Sequence, residues 1–239
     1  MSASTRRVAI LLDIDGTLIV SGGAGARSWA LAFDELYGTA ADIGEFTDTG
    51  MTDPEVGRKT FEAVLGREPP DDEFARLLER REHYLHRTVA ESDDYRVLPG
   101  VEELLPTLLQ EGYLLGIVTG NLEGSAHIKL HRARLNRFFS FGGYGSDSAD
   151  RTEVTRVALR KAALVYGAPL AEEQAIVVGD TPHDVEAAHA AGLECVGVGS
   201  HNYDAEQLRA AGADYVVDSL AKGLPAAALD SAIRDHPGA

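Results

Sequence analysis

VAILLDIDGTLIV, residues 8–20, decides the fold. Its first five residues form an unbroken apolar run, too continuous for a strand with one wet face, which predicts a strand buried on both sides of a parallel sheet. Two carboxylates one residue apart, Asp13 and Asp15, then end the run, followed by Gly16 and Thr17. Side chains two apart on an extended strand share a face, so both acids point the same way until a turn at Gly16 separates their roles.

Runs of the same kind recur downstream: LLGIVT at 114–119, AIVVG at 175–179, CVGVG at 195–199 and DYVV at 214–217. Punctuated helical stretches alternate with them. Pro99-Gly100 opens one that runs through Gln110, Asp184 to Ala191 stops at Gly192, and Asp204 to Ala211 stops at Gly212. Strand and helix in alternation imply right-handed crossovers and an α/β, doubly wound parallel sheet.

One region breaks the alternation. From Ser21 to Asp94 the pattern yields no strand but three amphipathic helices, at Ala26 to Tyr37, Asp53 to Leu65 and Asp71 to Ala90. Polar or flexible connectors flank it, SGGAG at 21–25 and SDDY at 92–95. The expected organisation is an α/β core from residues 1–20 and 95–239 with an α-helical domain inserted over 21–94; the Ala-rich tail is expected to form a closing helix.

Composition narrows the partners. The 239 residues suffice to bury about 70% of the unfolded surface, and 44% hydrophobic with 25% charged residues suits a compact fold. Acids outnumber bases 38 to 22, and a net charge of −16 repels nucleic acid and anionic membranes. The single Cys195 forms no internal disulfide and suits a reducing compartment. The apolar run before Asp13 is too short for a signal sequence and no stretch reaches transmembrane length, so a cytoplasmic protein is expected.

In open α/β sheets ligands bind outside the carboxyl ends of the strands. Those ends carry Asp13, Asp15, Gly16 and Thr17; Thr119, Gly120 and Asn121; and Gly179, Asp180, Thr181 and Asp184. Carboxylates gathered on one rim need a cation, and magnesium, a hard ion that accepts carboxylates together with a phosphoryl oxygen, suits Asp13 and Asp180. Asp184, one helical turn beyond Asp180, is placed to support them if a helix begins after Pro182. Thr119 offers a hydroxyl, and the amides of Gly120 and Asn121 offer a cradle for phosphate. Asp13 is then free to attack phosphorus, with Asp15 handling the proton. Helix capping explains any one of these motifs but not all three together.

DIDGT at 13–17, VTGN at 118–121 and GDTPHD at 179–184, in that order, closely resemble the haloacid dehalogenase (HAD) superfamily. The resemblance implies Asp13 as nucleophile, Asp15 as general acid/base, Thr119 as the phosphate-binding hydroxyl and Asp180 with Asp184 as the acidic metal motif. It also implies the backbone carbonyl of Asp15 as a magnesium ligand. The insertion resembles the helical cap of the phosphoglycolate phosphatase and β-phosphoglucomutase type. There is one departure: where the family usually has a lysine ahead of the acidic metal motif, this chain reads GSDSADRTEVTR at 145–156. Arg151 is the positional replacement, and Lys129, on the helix after Thr119, is the alternative.

Within the insertion, TGMTD at 49–53 is either a loop facing the site, with Thr52 and Asp53 towards substrate, or a plain interhelical turn ending in an Asp N-cap. Arg27, Arg58 and Lys59 are either readers of an anionic substrate tail or surface cations, and EFARLLERREHYLHR at 73–87 reads as a solvated helix face. The expected activity is a magnesium-dependent phosphatase acting on a small phosphorylated metabolite through an aspartyl-phosphate. The alternatives are a phosphosugar mutase and, against the weight of Asp15 and the insertion, a signalling module phosphorylated on Asp. Substrate and oligomeric state stay open.

Overall fold

The computed structural model describes residues 8–167 and 174–231; the residues before Val8 and the end of the Ala-rich tail lie outside the described residues. Strand β1 (Ala9–Leu12) is buried along its whole length and pairs in parallel with both β4 (Leu114–Val118) and β6 (Ala175–Gly179). With β5 (Phe141–Gly143), β7 (Glu194–Val198) and β8 (Tyr215–Val217) it forms a six-stranded parallel sheet in the order β5-β4-β1-β6-β7-β8. This is the doubly wound sheet expected from the sequence. The chain moves outward from β1 through β4 to β5, then returns past β1 to build the other half, so β1 ends at the topological switch point.

Alternation along β1 divides the core. Ile10 and Leu12 face a layer containing Leu104, Leu105 and Leu108 of α4 (Val101–Gln110) and Leu130 of α5 (Glu123–Arg132). Ala9 and Leu11 face Val154 and Ala158 of α6 (Arg151–Tyr166) and Val185 and Ala188 of α7 (Pro182–Ala190). Burial on both faces contributes roughly 1.5–3 kcal/mol for each large aliphatic side chain. Helices α8 (Ala205–Ala210) and α9 (Ala226–Ser231) complete the described core. Among the described residues no helix is long and apolar enough to cross a membrane.

Three short strands escape the sequence reading. β5 is only FGG, with no periodicity, and its Gly143 lies so close to the Val154 carbonyl that a Cβ would collide with it. The other omission is a two-residue antiparallel pair, β2 (Ile19–Val20) with β3 (Arg96–Val97), in register Ile19↔Val97 and Val20↔Arg96. It clamps the two chain crossings together at the base of the insertion.

Between β2 and β3 lie the three expected cap helices, α1 (Ala24–Tyr37), α2 (Asp53–Leu65) and α3 (Asp71–Ala90). They share an apolar core of Trp29, Phe33, Phe61, Phe74 and Leu77. Helix α2 starts where it does because Thr52 and Glu55 form a reciprocal capping box with Pro54 in the first turn. The charged run on α3 is not wholly solvated: Arg81 within it is 1% exposed.

Candidate active site

β1 delivers Asp13 to the rim, where its N–H donates to the Val178 carbonyl of the neighbouring strand at 2.9 Å. The chain then turns at Gly16, whose φ of 83° lies in the left-handed region. A Cβ at Gly16 would overlap the carboxylate of Asp180, so this glycine lets the acid at the end of β6 approach the turn. Helix α7 begins at Pro182, which puts Asp184 in its first turn; the Thr181 N–H and hydroxyl donate to Asp184 Oδ2 at 3.0 and 2.9 Å.

The three buried carboxylates of Asp13, Asp180 and Asp184 each offer an oxygen within 4.8 Å of the others'. Neither oxygen of Asp180 has a hydrogen-bond partner. Burial, then the charges of Asp13 and Asp184, push the Asp180 carboxyl up to about 8. Burial also pushes Asp13 up to about 7, against the opposing pull of Arg151. Orphaned carboxylate oxygens in a dry, all-oxygen donor set fit a hard divalent cation such as magnesium.

Two cations reach this rim, and they do not compete for one position. Arg151, at the start of α6, places Nη2 3.2 Å from Asp13 Oδ1 and 2.5 Å from Asp184 Oδ1. Burial works against its charge, but Asp184 and Asp13 outweigh it and raise the guanidinium pKa. Lys129 of α5 places Nζ 2.5 Å from Asp15 Oδ2 and donates to Asn121 Oδ1 at 2.6 Å. Asn121 Nδ2 in turn donates to Asp15 Oδ2 at 3.0 Å and to Thr119 Oγ1 at 2.9 Å. Burial pushes the Asp15 carboxyl up, yet Lys129 and these hydrogen bonds hold it below the usual carboxylate range. The Asn121 side chain, expected to offer only its backbone amide, is the hub joining Thr119, Asp15 and Lys129.

The cap loop at 49–53 sits directly on this machinery. Asp53 N–H donates to the Gly120 carbonyl at 2.7 Å, and Arg151 Nη1 donates to the Gly50 carbonyl at 3.0 Å. A Cβ at Gly120 would lie 2.6 Å from the Met51 carbonyl oxygen, so only glycine lets the loop settle there. Beneath it is a cavity of about 410 Å³ bounded by Asp13, Asp15 and Thr119 below and by Trp29, Met51 and Val56 above.

The structure separates the two expected cap residues. Asp53 lines the cavity, whereas Thr52 is fully buried between cap and core, where it N-caps α2 and donates to the Ala149 carbonyl at 3.0 Å. Thr52, not Asp53, is therefore the N-cap. The three candidate tail-reading cations turn elsewhere. Arg27 donates to the Gly22 and Thr88 carbonyls, Arg58 stands 3.7 Å from Asp71 and covers the Phe74 ring, and Lys59 points to the Met51 sulfur.

The residue that sequence reasoning missed is Arg81. Its guanidinium lies 2.9 Å from Asp53 Oδ2 and 3.0 Å from Oδ1, hydrogen-bonds the Ser125 hydroxyl of the core, and lies over Trp29. A signal was present: Phe74, Leu77, Arg81 and Leu85 follow the three- and four-residue spacing of one buried helix face, with the arginine holding an apolar position.

The chain resembles known proteins along most of its length. Residues 10–198 match the haloacid dehalogenase-like hydrolase family. The phosphoglycolate phosphatase of Rhodospirillum rubrum is 32% identical over 222 residues, covering 89% of this chain and 88% of that protein. Its counterpart from Salmonella paratyphi A is 28% identical, covering 92% of each. Among solved structures, CbbY from Rhodobacter sphaeroides in complex with phosphate superposes with a TM-score of 0.71 at 22% identity, over 93% of this chain and 98% of that one. A β-phosphoglucomutase from Clostridium difficile superposes equally well, at 19% identity over 95% and 96%. At these identities the two structures attest the fold. The chain belongs to the haloacid dehalogenase-like hydrolases. It is an enzyme of the phosphatase type.

Proposed function

We propose that this protein is a magnesium-dependent phosphatase that hydrolyses a small phosphorylated metabolite through an aspartyl-phosphate on Asp13. The observation that carries the reading is the pairing of Asp13 with Arg151 and of Asp15 with Lys129 at the floor of a cap-covered cavity.

In the first step an Asp13 carboxylate oxygen attacks phosphorus and the bond from phosphorus to the leaving oxygen breaks. Asp15, entering protonated, gives its proton to that oxygen and releases the alcohol. An incoming phosphoryl group draws on the positive charge of Lys129, which loosens that residue's hold on the ionised form of Asp15. In the second step Asp15 takes a proton from water as the water oxygen attacks phosphorus. The bond between phosphorus and Asp13 breaks, free carboxylate and inorganic phosphate result, and one water has been consumed. Thr119 and the amides of Gly120 and Asn121 receive the phosphoryl oxygens, and Arg151 balances charge beside Asp13. Bound magnesium, held by Asp13, Asp180 and the Asp15 carbonyl with Asp184 in support, supplies charge neutralisation at the phosphoryl group. The helices of residues 21–94 exclude bulk water and leave room for a small leaving group.

The test is phosphate release from p-nitrophenyl phosphate in the presence of magnesium. Asp13→Asn is expected to abolish it; a variant that keeps full magnesium-dependent activity would refute the nucleophile.

A further inference from the structure

Taking the site to be a phosphatase, we infer that the leaving group it accepts carries no second negative charge: the substrate is the phosphomonoester of a small neutral or cationic alcohol. Among the described residues, the cap's share of the cavity lining contains one cation, Arg81, against three acids, Asp42, Asp48 and Asp53.

Arg81 is already committed. Both oxygens of Asp53 lie within 3.0 Å of its guanidinium, and the ring of Trp29 lies beneath it. Asp53 is itself fixed by the Leu122 N–H at 2.9 Å. A pair this buried cannot swing apart to greet an anion without leaving one partner unmatched, a costly arrangement in a dry site.

With that pair neutral, the exposed Asp42 and Asp48 leave this half of the cavity with excess negative charge. The core cations give no relief, because Lys129 and Arg151 are matched by Asp15 and by Asp13 with Asp184. Arg27, Arg58 and Lys59 line no part of it. A carboxylate or second phosphate on the leaving group would therefore be desolvated beside like charge with no partner, whereas a hydroxyl or ammonium is well received. The inference parts this chain from the acid substrate in its relatives' name. It also disfavours a mutase cycle, which passes through a bisphosphate whose second phosphate would occupy the same half.

The experiment compares 2-phosphoglycolate with its amide, 2-phosphoglycolamide, on the full chain with magnesium, and includes p-nitrophenyl phosphate as a leaving group without charge. The expected kcat/KM for the amide exceeds that for the acid by roughly tenfold or more, of the order that like-charge juxtaposition commands. The double variant Asp42→Asn with Asp48→Asn, both at exposed positions, is expected to narrow the ratio by about threefold or more. Equal turnover of acid and amide, faster turnover of the acid, or a ratio untouched by the double variant overturns the inference; with p-nitrophenyl phosphate still hydrolysed, any of these leaves the phosphatase reading standing. Failure to hydrolyse all three esters overturns both.

Discussion

The Lys129 ammonium lies 2.5 Å from the Asp15 carboxylate, while the neighbouring acid, Asp13, faces the Arg151 guanidinium at 3.2 Å. Each acid of the DIDGT turn thus has a cation of its own, and the two cations differ in what their loss should do.

Arg151→Ala removes the charge beside the attacking oxygen, and kcat is expected to fall by roughly 100-fold or more, the scale of losing one electrostatic partner of a transition state. Lys129→Ala acts through Asp15. The carboxyl it holds down should rise, and because the first step needs Asp15 protonated, the alkaline limb of the kcat/KM profile should move to higher pH as turnover slows. Full pH–rate profiles of the two variants distinguish these outcomes; superimposable profiles would show that Lys129 does not govern Asp15.

Asp15→Asn should uncouple the two chemical steps. With p-nitrophenyl phosphate the leaving group needs little help from an acid, so one equivalent of nitrophenol is expected in a burst, followed by slow release of phosphate. Mass spectrometry of the quenched protein should find the phosphoryl group on Asp13. A linear time course at the wild-type rate would remove Asp15 from its role.

Metal-free protein should lose stability as pH rises. Asp13 and Asp180 stand at about 7 and about 8 in the folded state against an ordinary 3.8. Between about pH 4 and pH 8 the folded state therefore binds more protons than the unfolded chain, and unfolding free energy declines across that window. Asp15, held low, adds a loss of stability only at the acid end below it. Magnesium should reverse the decline, by about 2.7 kcal/mol at a hundredfold excess over its Kd, with a gain that grows towards pH 8. Thermal denaturation with chelator and with magnesium across this range checks both signs.

Arg81→Ala leaves the Asp53 carboxylate without its partner between cap and core, and about 3 kcal/mol of stability should go with it. Removing both partners in an Asp53→Ala, Arg81→Ala protein should recover part of that loss. A double-mutant cycle by urea denaturation measures the coupling, and additive single losses would show that the contact carries none.

Much of this protein was legible in its sequence because the signals are local. Apolar runs buried on both faces, turn and cap residues at fixed offsets, and acids at strand ends depend on neighbours a few residues away; β1, the α2 and α3 boundaries and the three site motifs follow from them. β5 stayed hidden because two glycines leave almost no side chains to pattern, and its pairing with β4 is made by backbone alone.

The assignment of partners belongs to the tertiary structure. Along the chain Arg151 stands as the positional candidate for one phosphate cation with Lys129 as the alternative, and only the positions of α6 and α5 around β1 send the first to Asp13 and the second to Asp15. Arg81 reads as one more charge in a charged run until α3 packs and its face turns inward onto Asp53 and Trp29. Charge pairing depends on distances of a few ångströms between segments tens of residues apart, which no local pattern encodes. The sequence by itself therefore determined the chemistry brought to the rim, and the folding of a cap over that rim decided which charges were left free to meet a substrate.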